Sequence, residues 1–282
     1  MAAAAVLIVL AVVIWHHAVA RFAVATAIGL TTGYHVDIGE MRLGRNHGAL
    51  IDTHVSRHGE PVLEAARIDI YYNLRDLLPG SKHRYGLLAV TIDRPQLTIV
   101  HHQDRTYNVV MPRGGAAGAP GRPNNVPLNF TATIRDGQAR LIDDYQYYKD
   151  ARTVRVDGIN ADLAVNTATK THYTMNGAFE EPRAEPFTAA GTIDYNKGYA
   201  LHRIRAAAIP LKAIGNYVID SAAAHILAGT ARGFHATIYA LGIEPNVPFA
   251  YHVMAGATLS DGQLYIHGLS APLDGIRGTL QV

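Results

Sequence analysis

From Tyr34 onward the chain is written largely with a period of two, and that period limits what it can fold into. Tyr34, Val36 and Ile38 alternate with His35 and Asp37, and Ile68, Ile70 and Tyr72 with Arg67, Asp69 and Tyr71. Leu88, Val90 and Ile92 alternate in the same way with Ala89, Thr91 and Asp93. Successive side chains of a strand point to opposite faces, so the pattern predicts a sheet with one apolar and one polar face. The expected class is mainly β: an elongated, curved, groove-like sheet rich in antiparallel pairs, with short helices.

The alternation is interrupted at identifiable places. After Arg94-Pro95 the phase moves to Leu97 and Ile99, and a proline inside such a run points to an edge strand or a bulge, because it has no N–H for the ladder. "LRDLLPG" (Leu74 to Gly80) reads as one helical turn closed by Pro-Gly. Pro112 to Pro127, "PRGGAAGAPGRPNNVP", reads as a flexible insertion that loops out of the sheet or separates two sub-regions. The alternation resumes at Leu128, Phe130, Ala132 and Ile134, followed by an Asp136-Gly137 turn of hairpin type, and then by Val154, Val156, Ile159, Ala161, Leu163 and Val165.

Glycines at 177, 191, 229, 256 and 278 sit inside further strand-like runs, as in a meander whose strands bend at interior glycines. Ile209 to Gly229 has apolar residues at Leu211, Ile214, Val218, Ala222 and Ile226. That spacing predicts one or two short helices. Val282 falls within a strand-like run, and an unpaired last strand would leave an open edge, so the natural polypeptide is expected to continue.

The first residues carry a different signal. Ala2 to Trp15 is an unbroken apolar run, with Val6, Leu7, Ile8, Leu10, Val13, Ile14 and Trp15 as its anchor residues. His16 and His17 follow, and read as the edge of the membrane segment. Fourteen residues fall short of the roughly 20 that cross a bilayer, but the two neutral histidines extend the run to Ala20, and Trp15 suits a headgroup boundary. An uncleaved signal anchor is the leading reading. Ala18-Val19-Ala20 also fits a cleavage site, and a buried helix is the third possibility. Under the first two readings the rest of the chain is exported.

Composition excludes some classes. The net charge is +2, with no basic stripe to neutralise phosphates, so no nucleic-acid partner is expected. There is no cysteine, hence neither a disulfide framework nor a thiolate metal site. His101 and His102, beside Asp104 and Asn108, are the most suggestive polar cluster. Adjacent strand residues point to opposite faces, so the two imidazoles cannot share one metal without distorting the strand. They read as strand-end polarity, and Asp104 and Asn108 as turn residues. His54 and His58 lie two pleats apart. Asp143-Asp144 beside "YQYYKD" raises a glycosidase reading, but adjacent aspartates diverge and nothing places a second carboxylate. No nucleophile elbow or phosphate loop is present. Neither a catalytic residue, a metal nor a cofactor is expected.

The apolar anchor running into "TTGYHVDIGEMRLG", then "HGALIDTHVSRHGEPVLEAARIDIYYNLRDLL" and above all "LLAVTIDRPQLTIVHHQDRTYNVV", resemble the N-terminal region of AsmA/TamB-type proteins. "GATLSDGQLYIHGLSAPLDGIRGTLQV" resembles their later strand modules. The resemblance implies a single-pass inner-membrane anchor over residues 1–33, and a periplasmic groove built from residues 34–111 and 128–282. It implies membrane phospholipids as partners through their acyl chains, transport of lipid between membranes, outer-membrane biogenesis, and an outer-membrane β-barrel assembly partner. The insertion at 112–127 departs from the family pattern, as does the lack of basic residues before the anchor, which removes the usual signal for orientation. Ile68, Ile70, Val90, Ile92, Leu97, Ile99, Ala132 and Ile134 are the groove-lining candidates. The alternative is an exported, closed β-sandwich that binds a soluble ligand or acts as a hydrolase, in which these residues are simply core.

Overall fold

The computed structural model describes residues 33–77, 86–104, 106–109, 129–144, 152–180, 185–211, 224–241, 250–266 and 268–281. The expected anchor and the insertion at 112–127 lie outside the described residues. Among those described, no helix is long and apolar enough to cross a membrane.

The period-two sequence folds as one sheet of twelve strands in chain order. They are β1 (His35–Leu43), β2 (His47–Arg57), β3 (Glu60–Tyr72), β4 (Leu87–His101), β5 (Asn129–Asp143) and β6 (Arg152–Asn166). The second half comprises β7 (Lys170–Phe179), β8 (Glu185–Asp194), β9 (Tyr199–Pro210), β10 (Ala224–Leu241), β11 (Ala250–Ile266) and β12 (Leu273–Gln281). The sheet is open: β1 and β12 are its two edges and do not pair with each other. A 3-10 turn at Leu74–Leu77 matches the expected helical turn. Asn73 Oδ1 accepts a hydrogen bond from the Arg75 N–H at 3.1 Å in its first residues.

Every neighbouring pair is antiparallel except β4 and β5, which run parallel from Ala89↔Thr131 to His101↔Asp143. A parallel pair cannot be joined by a hairpin. The chain leaving His101 must travel back the length of a 15-residue strand, about 50 Å, before β5 can begin. Most of the segment that makes this return, including the insertion at 112–127, lies outside the described residues. The sheet continues across it rather than dividing there.

A line of left-handed residues crosses the first half of the sheet. Asp52, Arg94 and Asp136 have φ of 51°, 48° and 50°. The register places Asp52 level with Gly39 on β1 and Ala66 on β3, Ala66 level with Arg94, and Arg94 level with Asp136. At β6 the ladder shifts register, next to Gly158 at φ 59°. Each left-handed residue reverses which parity of side chain faces the core. This crease is the origin of the phase change read at Arg94-Pro95. A second crease crosses β10 to β12 at Gly229, Asp261 and Gly275 (φ 120°, 54° and 67°), again where the ladders shift register.

Two expectations are corrected and a third is narrowed. Pro95 is on neither an edge nor an exposed strand: it is buried within β4, between β3 and β5, one residue past the crease. Asp136-Gly137 makes no hairpin, because Asp136 takes up the crease and β5 runs on to Asp143. The expected helical stretch at Ile209 to Gly229 is narrowed: Ile209 and Pro210 close β9 and Ala224 opens β10, while Leu211, just after β9, is helical and residues 212–223 lie outside the described residues. A stretch of small and branched apolar residues has no strong preference between the two periods, and pairing with neighbouring strands decides it.

Candidate functional site

The register of the sheet assembles an unbroken apolar row perpendicular to the strands. It runs Met41, Leu50, Ile68, Ile92, Ile134, Ala161, Met175, Ala189, Ile204, Ala236 and Ala255, each paired with the next, from β1 to β11. A second row lies two residues along: Leu43, Gly48, Ile70, Val90, Ala132, Leu163, Tyr173, Gly191, His202, Ile238 and Val253. Residues two apart share a face, so both rows lie on one side of the sheet. With strands about 4.8 Å apart, the apolar strip extends about 50 Å.

The row between them faces the other way and is mostly polar: Arg42, Ala49, Asp69, Thr91, Thr133, Asp162, Thr174, Ala190, Arg203 and Thr237. A shallow open hollow of about 650 Å³ is lined chiefly by this row and its polar neighbours, including Thr131, His172 and Thr192.

All eight groove candidates lie on the apolar face. Ile68, Ile92 and Ile134 stand side by side in the first row, and Ile70, Val90 and Ala132 in the second. Leu97 and Ile99 lie beyond the crease, Leu97 between Leu63 and Ala139 and Ile99 beside Leu141. All eight are half-buried. The row next to the crease is deeper: Ile38, Thr53 and Ala65 are 1%, 2% and 4% exposed, and Pro95 and Gly137 are buried. Two apolar clusters anchor the face. One joins Val36, Ile38, Met41 and Leu50, and the other gathers Phe187, Ile209, Leu211, Ala231 and Phe234.

Sequence reasoning missed the polar pair within the second row. Tyr173 on β7 reaches across β8 to His202 on β9, Tyr173 Oη and His202 Nδ1 being hydrogen-bonded at 2.8 Å. The ring passes over Gly191, where a Cβ would collide with Tyr173 and lie 2.7 Å from His202 Nδ1. Burial lowers the pKa of His202 and raises that of Tyr173, so both are neutral at pH 7. The signal available in the sequence was the glycine. Gly177 and Gly256 are likewise covered by a neighbouring strand's ring, Phe187 and His235 respectively, so these glycines make room for rings rather than bend their strands.

The histidine pair of the opening strands separates as the strand geometry requires. His101 Nδ1 lies 3.2 Å from Asp143 Oδ1, and its ring stacks on Tyr107 at 4.4 Å. His102 Nε2 lies 3.1 Å from Glu60 Oε2. Asp104 forms the expected turn, its Oδ1 accepting from the Thr106 N–H at 2.9 Å. Asn108 does more than turn the chain. It is 3% exposed; its Oδ1 accepts from Val100 N–H at 2.8 Å, and its Nδ2 donates to Thr98 O and Pro61 O. It therefore closes the end of the β3–β4 ladder. No group of three or more potential metal ligands occurs among the described residues.

On the polar face, Asp69 accepts two hydrogen bonds from the Arg67 guanidinium and lies 2.7 Å from His47 Nε2. The Arg67 hydrogen bond is the main cause of its lowered pKa. Asp194, 1% exposed, caps the β8–β9 turn by accepting from the Asn196 and Lys197 N–H groups, and its other oxygen faces Lys170 Nζ at 3.2 Å. Burial opposes its ionisation, but these partners hold its pKa below the ordinary value. Asp69 is thus engaged by Arg67 and His47, and Asp194 by Lys170 and two turn amides, so both carboxylates help to organise the polar face. In comparisons with known proteins, no family model matches the chain, and no curated protein matches it.

Proposed function

We propose that this chain belongs to a membrane-anchored, periplasm-facing β protein that takes part in phospholipid transport between membranes and in outer-membrane biogenesis. The observation that carries this reading is the apolar row from Met41 to Ala255, unbroken across eleven strands of an open sheet. An acyl chain laid along such a row exchanges water for apolar contact, at about 0.8 kcal/mol per CH₂. Because successive positions offer similar apolar contacts, the chain meets little barrier to sliding from one strand to the next. In this reading the residues act as a contact surface rather than as reagents. The single-pass anchor and the outer-membrane assembly partner rest on the resemblance of the sequence to AsmA/TamB-type proteins.

The test is lipid content. The full chain, produced in a bacterial envelope and exchanged into amphipol, is analysed by native mass spectrometry and lipid extraction beside Ile92→Glu. Bound phospholipid is expected in the parent, with most of it lost from a variant that keeps its β circular dichroism. A lipid-free parent rejects the proposal. Unfolding of Ile92→Glu with a lipid-free parent points to a closed core.

A further inference from the structure

The two apolar rows differ in one respect. The first carries no polar side chain, whereas the second holds Tyr173 and His202, bonded to each other across Gly191. On the same face their surroundings are mostly apolar: Met175, Ala189 and Ile204 in the first row, Leu163 and Ile238 beside them in their own, and Ile193, Ala200 and Ala240 on the far side, where Thr171, hydrogen-bonded to Tyr195, is the polar exception. A Phe at 173 would cover Gly191 equally well. The hydroxyl and the imidazole therefore add hydrogen-bonding capacity that packing alone does not require.

That capacity survives whichever tautomer His202 adopts. If Tyr173 donates to Nδ1, the Nε2–H remains as a donor and the phenol oxygen as an acceptor; if Nδ1–H donates to Tyr173, the phenol O–H remains as a donor and Nε2 as an acceptor. Either way a neutral pair offers one spare donor and one spare acceptor. Being uncharged, it provides no counter-ion for a phosphate or carboxylate. It suits a neutral acceptor attached to an apolar chain.

We propose that Tyr173 and His202 form a polar docking point that holds an ester carbonyl of an acyl lipid, with the lipid's tails lying along the two apolar rows. This inference rests on the lipid-binding reading above. It gives the sliding chain a preferred stop at β7–β9, where the ester pauses while the tails stay in apolar contact. The pair is a specificity-determining element and not a catalytic one.

The experiment is a competition on the full chain. Equal amounts of a diester phosphatidylglycerol and its diether analogue, with the same chains and head group, are offered to the amphipol-held protein and read by native mass spectrometry. The ether lipid lacks both carbonyls. The parent is expected to favour the ester about five-fold, the worth of one neutral hydrogen bond. The double variant Tyr173→Phe, His202→Phe is expected to bind both equally, and Tyr173→Phe with His202→Leu, which keeps a ring over Gly191, serves if the first double variant does not fold. No preference in the parent, or a preference that persists in a folded variant, overturns the docking point but leaves the lipid-binding reading standing. Binding of neither lipid overturns both.

Discussion

The Tyr173–His202 bond has a consequence that pH makes visible. Burial holds the pKa of His202 below its ordinary 6.5, so below that pH the unfolded chain takes up a proton that the folded chain resists. The folded state then binds fewer protons than the unfolded one, and stability falls as pH falls through this window. Urea midpoints are expected to drop between pH 8 and pH 5. His202→Phe is expected to flatten that part of the profile, and an unchanged slope would show that the proton is taken up elsewhere. Asp69 gives a separate window: its lowered pKa supplies stability above the ordinary 3.8 that is lost only at more acidic pH. Neither effect was legible in the sequence. Tyr173 and His202 are 29 residues apart, and only the sheet register brings them together. The strand-end role of His101 and His102 was legible, because it follows from adjacent residues facing opposite ways.

At the scale of the element, the crease is the feature that sequence pattern half revealed. The phase change at Arg94-Pro95 was readable as a change of parity. Its cause was not, because the same left-handed conformation at Asp136 resembles a hairpin turn until β5 is seen to continue. A strand that keeps strict alternation presents one face along its whole length, whereas these strands exchange parity midway so that both halves feed the same apolar side. Left-handed backbone costs an L-residue roughly 1–2 kcal/mol, less for Asp or Asn. Asp136→Gly is therefore expected to leave stability unchanged or raise it slightly. Asp136→Val is expected to lower it by about 1–2 kcal/mol. Thermal melts of the two variants would settle the point, and equal melting temperatures would mean that the backbone at 136 is not held left-handed in solution. That the eight candidates share one face was legible because burial on one face forces period two. The continuity of their rows across eleven strands was not, since the pairing partner of each strand cannot be read from its own pattern.

For the molecule as a whole, pairing is confined to neighbours in sequence. Such an architecture behaves as a nearly one-dimensional array, in which each strand is stabilised by its two flanking partners. The edges then hold least tightly: β12 is largely exposed and has one partner. Removing residues 273–282 is expected to leave amide protection in β2–β9 unchanged within error, with loss confined to β10 and β11, as read by hydrogen exchange. Loss of protection throughout would indicate one cooperative unit.

The lone parallel step between β4 and β5 also fixes a matter of parity. Twelve strands joined by reversals alone would number eleven turns, an odd count, and the last strand would run opposite to the first. One of the eleven neighbouring pairs is parallel, leaving ten reversals, so β12 runs in the same direction as β1. The chain therefore comes into the sheet along one rim, at His35, and departs from the other, at Gln281. Anything fused ahead of the first strand and anything fused behind the last stand on opposite banks of the apolar strip.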